Sequence, residues 1–165
     1  MRVLRPVIFL FAFALAMTAV AASAAQQTKD LPPAPVPTPV FTAKKVFISN
    51  ASGQIVVPGG APEVTYDEFY AAMNAWGRYE LVSAPSDADL VFEISFEFHE
   101  RVFPIRLLIV DPKTHIVLWP IVSYVKPWAL ASTGRKNFDQ AMAVLVDDLK
   151  NLVTPPPTPT DNQKN

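Results

Sequence analysis

Apolar and polar residues alternate from Leu90 to Glu100. Leu90, Phe92, Ile94, Phe96 and Phe98 share one side of a two-residue period, and Glu93, Ser95, Glu97 and His99 share the other. That pattern predicts a strand with one buried and one solvated face. Two more apolar runs follow, residues 103–110 and 116–125, separated by Asp111-Pro112-Lys113-Thr114, a turn in which proline supplies a fixed φ. Together the three runs predict an antiparallel meander. Pro120 cannot donate to a ladder, so the third strand should bulge near Trp119-Pro120 or lie at an edge.

Upstream, Lys44 to Asn50 reads as a short first strand that ends at Ala51-Ser52-Gly53, and residues 54–64 read as a loop with an extended piece at Ile55-Val56-Val57. Thr65-Tyr66-Asp67-Glu68 has the spacing of a capping box and predicts a helix start. Phe69, Ala72, Met73 and Trp76 then line one stripe at helical spacing, and Gly77 suits a left-handed stop. Tyr79 to Val82 reads as another short strand, and residues 85–89 as the turn into the meander. Downstream, residues 126–136 read as a loop. Phe138, Met142, Leu145, Leu149 and Leu152 predict a last helix from about Asn137 to Val153, with Lys150 near its negative end. The order strand, helix, strand, meander, helix predicts an α+β fold: a mixed sheet of about five strands with both helices packed on one face.

The ends have a different composition. Arg2 and Arg5 precede an uncharged apolar run, Val7 to Val20, and Ala22-Ser23-Ala24 fits a small-x-small cleavage site. Residues 1–24 are therefore expected to be a secretory signal peptide, with an uncleaved anchor as the competing reading. Residues 25–43 form a linker expected to lack regular structure, because Pro32, Pro33, Pro35, Pro37 and Pro39 favour polyproline II. A second proline-rich tail, residues 154–165, mirrors it. The folded domain is expected over residues 44–153, and the mature protein in the periplasm or secreted, without a stable membrane anchor.

Composition narrows the chemistry. Among the 165 residues there is no cysteine, which removes thiol catalysis, thiolate metal sites, disulfides and a lipid-bearing cysteine. Loss of Arg2 and Arg5 from the 14 basic residues takes the net charge from −1 to about −3, and no basic block occurs, so nucleic acid is not expected as a partner. No cofactor motif is present.

Several segments resemble small bacterial envelope proteins: Lys45-Val46-Phe47-Ile48-Ser49, Gly77-Arg78-Tyr79-Glu80-Leu81-Val82, Ala88-Asp89-Leu90-Val91-Phe92, residues 107–114 and Val117-Leu118-Trp119. These proteins in turn resemble the α/β domain at the amino terminus of TolB and in accessory lipoproteins of the CsgG and LpoB kind. The resemblance covers residues 44–153. It implies a non-catalytic interaction module with envelope proteins as partners, and its motifs are structural.

Candidate sites are few. His99 and His115 could approach each other if the strands pair, with Asp111 or Glu97 nearby, but neither has metal-ligand spacing. Ser83, Ser95, Ser123 and Ser132 lack a nucleophile-elbow pattern. Glu93 and Glu97 suit a solvated strand face better than an acid pair. Thr133-Gly134-Arg135-Lys136 before the last helix is a candidate anion site. Trp128 falls outside the core periodicity. With Tyr124, Lys126, Arg135 and Lys136 it makes a candidate contact patch, since aromatics and arginine concentrate at interface hot spots. The competing reading folds Trp128 back over the sheet edge.

Overall fold

The computed structural model of the chain describes residues 34–53, 63–98 and 102–154. The expected signal peptide, the extended piece at Ile55-Val56-Val57, His99 and residues 155–165 of the tail lie outside the described residues. Among the described residues, no helix is long and apolar enough to cross a membrane.

From Pro35 onward the elements run α1 (Thr38–Thr42), β1 (Lys45–Asn50), α2 (Val64–Trp76), β2 (Glu80–Leu81), β3 (Leu90–Phe96), β4 (Phe103–Val110), β5 (Val117–Val125) and α3 (Ala131–Leu152), with a 3₁₀ turn at Pro85–Asp87. The strands form one mixed sheet in the order β2-β1-β3-β4-β5. β1 is parallel to β2 and β3, and the predicted meander β3-β4-β5 is antiparallel. This is an α+β fold.

The period-two pattern puts Phe92, Ile94 and Phe96 on one face of β3. Phe69 of α2 meets Phe92, and Phe138 of α3 meets Phe96 edge-on at 5.7 Å, so both long helices cover that face. The register carries the same face through Val46 and Ile48 of β1, Ile105, Leu107 and Ile109 of β4, and Ile121 of β5, all buried. Burial of each such side chain contributes about 1.5–3 kcal/mol. The predicted seam of α3 is buried at Phe138, Met142, Leu145 and Leu149.

Four expectations are corrected. The other face of β3 is not solvated: Val91 and Ser95 are buried and Glu93 is half-buried. β3 is the central strand, and the register sets Val91 between Phe47 and Val110. The capping box does not form, because α2 starts one residue early at Val64, and Thr65 is buried with its hydroxyl unpartnered. The segment expected to be structureless holds α1, whose Val40 is fully buried and whose Phe41 carbonyl accepts from Arg78 at 3.1 Å. Pro39, in the first turn, needs no donor there. Finally, α3 begins at Ala131 rather than near Asn137, so Thr133 to Lys136 are helical.

Other expectations hold. Gly77 ends α2 at φ 66°, with its N–H on the Met73 carbonyl. β5 is an edge strand, and it also bulges: Val110 faces Val117 while Ile109 faces Trp119, leaving Leu118 extra.

Candidate functional site

The β3-to-α3 connectivity gives the domain two unlike ends. At one end, β1 and β3 begin and α2 and α3 finish. There Trp76, Tyr79, Phe92 and Phe69 form a chain of ring contacts, 5.5 Å from Trp76 to Tyr79 and 5.5 Å from Tyr79 to Phe92. Lys150 of α3 lies over Trp76, and Arg78 lies over Tyr79. The Tyr79 hydroxyl is buried, and burial raises its pKa, partly offset by hydrogen bonding with the Arg78 side chain and then by the Arg78 charge.

At the opposite end a second aromatic chain stays open. Phe98, Phe103 and Trp128 stack in sequence, with centroids 5.1 Å and 4.5 Å apart. Phe103 is buried and belongs to the core face of β4. Phe98 is 58% exposed, Leu130 before α3 is 67% exposed, and Val102 is exposed beside them in sequence. Among the described residues, the ends of β1, β3 and β5, the start of β4, the first turns of α2 and α3 and the 126–130 connection build this end. Ser52 holds the neighbouring ladder end by accepting from the Phe96 N–H at 3.0 Å.

The structure divides the predicted patch. Trp128 folds back on Phe103 and packs against the core, half-buried. Tyr124 is exposed on the helix-free face of β5, opposite Pro104 in the register. Lys126 and Lys136 are both exposed, and the Asn137 side chain donates to the Lys126 carbonyl at 3.1 Å, tying the end of β5 to the first turns of α3. Arg135 does not join them. Its guanidinium ties Glu68 of α2 to Asp139 of α3, the latter at 2.8 Å, and stacks over Phe138. An anion site built on Arg135 at a loop-to-helix boundary is therefore not what the geometry offers: the residue lies inside α3 and is already paired.

Other chemistry stays dispersed. His115 sits in the β4–β5 hairpin, in a left-handed conformation (φ 57°). The β3–β4 connection, in which His99 lies outside the described residues, is at the far end of β4, about 25 Å of strand away. The expected approach of His99 to His115 thus falls outside the described residues, and among the described residues His115 has no metal-ligating cluster around it. Asp111 accepts from the Lys113 and Thr114 N–H groups, which hold its carboxyl below the usual value. Glu97, half-buried one residue past the end of β3, pairs with Arg106 at 3.5 Å. Among the described residues no cluster could hold a metal.

Sequence reasoning missed Phe98 and Leu130 as surface residues. Phe98 continues the apolar phase of β3, but the strand stops at Phe96, so the phase runs out into solvent. It also missed a groove between α2 and α3 of about 410 Å³, floored by Ala71, Ala72, Met142 and Val146 and bordered by the Arg135 bridge at one end and Lys150 at the other. The signal for it was available: small residues recur on the α2 face next to α3.

No family model matches the chain, and no curated protein matches it in sequence. Solved structures with similar arrangements include a variant of the PelC dodecamer from Paraburkholderia phytofirmans, with 16% identity over 74% of this chain and 96% of that one, TM-score 0.49. A DUF330 protein from Xanthomonas campestris has 16% identity over 67% and 84%, TM-score 0.47. The LpoB C-terminal domain from Salmonella enterica has 15% identity over 51% and 83%, TM-score 0.36. The LpoB-type resemblance expected from the sequence thus has a counterpart among these structures, while the TolB and CsgG resemblance remains an expectation. At these identities no functional residue of the three carries over.

Proposed function

We propose that this chain is a non-catalytic protein-interaction module exported to the bacterial envelope, and that its open aromatic end is the docking surface. One observation carries the reading: Phe98 and Leu130 are largely exposed around a Phe98–Phe103–Trp128 stack. Large apolar side chains grouped at one site, with an aromatic anchored beneath them, are what an interface centre requires. Export is supported by Arg2, Arg5, the apolar run and Ala22-Ser23-Ala24. α1 lies beside Arg78 and α3 ends just after Lys150, so both termini of the described domain lie at the closed end, which supports an open end left accessible.

The test is in-cell photo-crosslinking from single positions. A photoreactive residue at Leu130 should give a discrete adduct with a host envelope protein. The same residue at Ile116, 60% exposed in the opposite hairpin, should not. Equal adducts from both positions, or none from Leu130, would remove the open end as the docking surface.

A second reading, a small-ligand site, is supported by the α2–α3 groove. A ligand held there at about 100 times its Kd would add roughly 2.7 kcal/mol to stability. A thermal-shift panel of nucleotides, phosphosugars and cell-wall fragments with no shift would count against it.

A further inference from the structure

We propose that the free edge of β5 pairs with the same edge of a second copy of this chain, antiparallel about a two-fold axis at Ser123. The partner is the chain itself, so the proposal does not rest on the interaction reading above. The sheet has two edges, β2 and β5. β2 is two residues long and its Glu80 is paired with Lys45, so that edge is short and charged, which protects it from other strands. β5 has neither protection. It runs over nine residues, and no charged residue occurs from Ile116 to Val125. Among the described residues no strand pairs with its outer side.

The ladder shows which backbone groups are free. The Glu97 N–H donates to the Pro104 carbonyl at 3.0 Å, so Pro104 and every second residue after it turn their backbone groups toward β3. Phe103, Ile105 and Leu107 therefore bond to Val125, Ser123 and Ile121 of β5. Val122 and Tyr124 point their N–H and C=O groups outward, and Pro120 points a carbonyl outward with no N–H. Next in that outward series is Lys126, whose carbonyl already accepts from the Asn137 side chain at 3.1 Å.

A two-fold axis at Ser123 matches these groups. Val122 of each copy faces Tyr124 of the other, and the two exchange hydrogen bonds in both directions. Pro120 faces Lys126, so the position that lacks a donor meets the carbonyl that is already satisfied, and the Lys126 N–H meets the free Pro120 carbonyl. An axis at Val122 would leave the Tyr124 carbonyl facing Pro120 without a donor. An axis at Tyr124 would leave the Val122 N–H facing the occupied Lys126 carbonyl. The match is a property of this edge with itself, which is why a second copy rather than an unrelated strand is the occupant. Both faces of the joint are apolar. Val122 and Tyr124, exposed on the helix-free face, become a cross-strand β-branched and aromatic pair. On the other face, exposed Val144 lies two helical turns beyond Asn137 on the same side of α3.

The test is the mass of the full chain, as its host produces it, by sedimentation over a range of concentrations. The expected result is a shift from one chain to two as concentration rises. Val122→Pro removes an outward N–H and no bond to β4, so it should weaken association about tenfold or more at an unchanged thermal midpoint. Should the proline lower that midpoint, Val122→Lys reads the same edge with the backbone intact. The chain has no cysteine, so engineered thiols report the register. Val122→Cys/Tyr124→Cys should give a disulfide-joined dimer, because facing residues lie about 5.5 Å apart. Tyr124→Cys alone should not, since the two copies of that position lie about 7–8 Å apart, beyond disulfide reach. A mass of one chain at every concentration would overturn the proposal. So would a dimer indifferent to both Val122 substitutions, a dimer joined by Tyr124→Cys alone, or masses that keep growing beyond two chains.

Discussion

The two aromatic chains of this domain use the same residue types for different ends. Tyr79, Phe92 and Phe69 are buried and Trp76 is half-buried, because α1, the last turns of α2 and α3, and β2 converge on them. Among the described residues, Phe98, Phe103 and Trp128 are bounded by strand ends and the 126–130 connection, with the stack seated on the core at Phe103 and Phe98 largely exposed. Aromatic content therefore does not separate core from surface here. What separates them is how many elements terminate at the same place. The closed end should carry stability, and the open end should carry recognition.

The largest expected effect tests that division directly. Phe92 is 0% exposed and meets both α2 and Tyr79, so Phe92→Ala should cost about 3–5 kcal/mol through lost burial and a residual cavity. Phe98→Ala, at a largely exposed site, should cost under about 1 kcal/mol. Urea unfolding of the two variants gives the comparison. Similar losses would mean that the open stack is structural, and the case for a docking surface would weaken accordingly.

A sharper version separates two residues that sequence reasoning placed in one patch. Trp128→Ala removes the ring packed on Phe103 and should abolish partner capture, read as the Leu130 crosslink, while costing about 1–2 kcal/mol. Arg135→Ala should cost about 1 kcal/mol, because Glu68 and Asp139 lose the cation between them, and should leave capture intact. Loss of capture in Arg135→Ala at an unchanged thermal midpoint would return that residue to the binding surface.

The reason these two residues were grouped shows what the sequence carries. Periodicity placed the meander, the apolar seam of α3 and the stripe of α2, because each depends on local spacing that burial then enforces. Pro120 alone indicated a bulge or an edge position for β5, and β5 has both. The start of α3 was placed six residues late because Ser132, Thr133 and Gly134 read as loop, yet Gly134 sits four residues before Phe138 on the buried side of the helix. The Arg135–Asp139 pair was legible as an i, i+4 contact, whereas the Glu68 partner was not, since it depends on α2 and α3 lying side by side. α1 was hidden by its prolines, and its hold on the domain is one valine and one long-range hydrogen bond. The open stack was hidden for a related reason: Phe98 keeps the phase of a strand that has already ended.

Each end also buries a poorly satisfied hydroxyl, Thr65 in the first turn of α2 without a partner and Tyr79 at the closed end with only the Arg78 side chain beside it. Removing such a group relieves its desolvation cost. Thr65→Val should therefore raise stability by about 1 kcal/mol. Tyr79→Phe should give a comparable gain, since the ring and its contacts with Trp76 and Phe92 are kept. Calorimetry of both checks the point. A loss in either variant would mean that the hydroxyl has a water or protein partner in solution.

The smallest effect concerns pH and belongs to the closed end. Asp89 accepts from the Lys44 and Lys45 N–H groups, each at 2.9 Å, and so fixes the start of β1. Those two hydrogen bonds, Lys44 first, hold its carboxyl below the ordinary value of 3.8. The depressed folded-state pKa sets the sign. The unfolded chain takes up the proton first as pH falls, so the contribution is complete well above pH 4 and is lost progressively as pH drops through the folded-state value. The side chain is exposed, so screening keeps the contribution small. Asp89→Asn retains an acceptor oxygen and removes the charge. It should be slightly less stable than the wild type at neutral pH, and the two should converge as pH falls below about 4. Asp111, held low in the same way by Lys113 and Thr114, remains in both proteins and leaves a shared acid dependence. Paired unfolding curves between neutral pH and pH 2 would settle it. A gap that stays constant across that range would mean that Asp89 acts through hydrogen-bond geometry alone and that its charge adds nothing to the closed end.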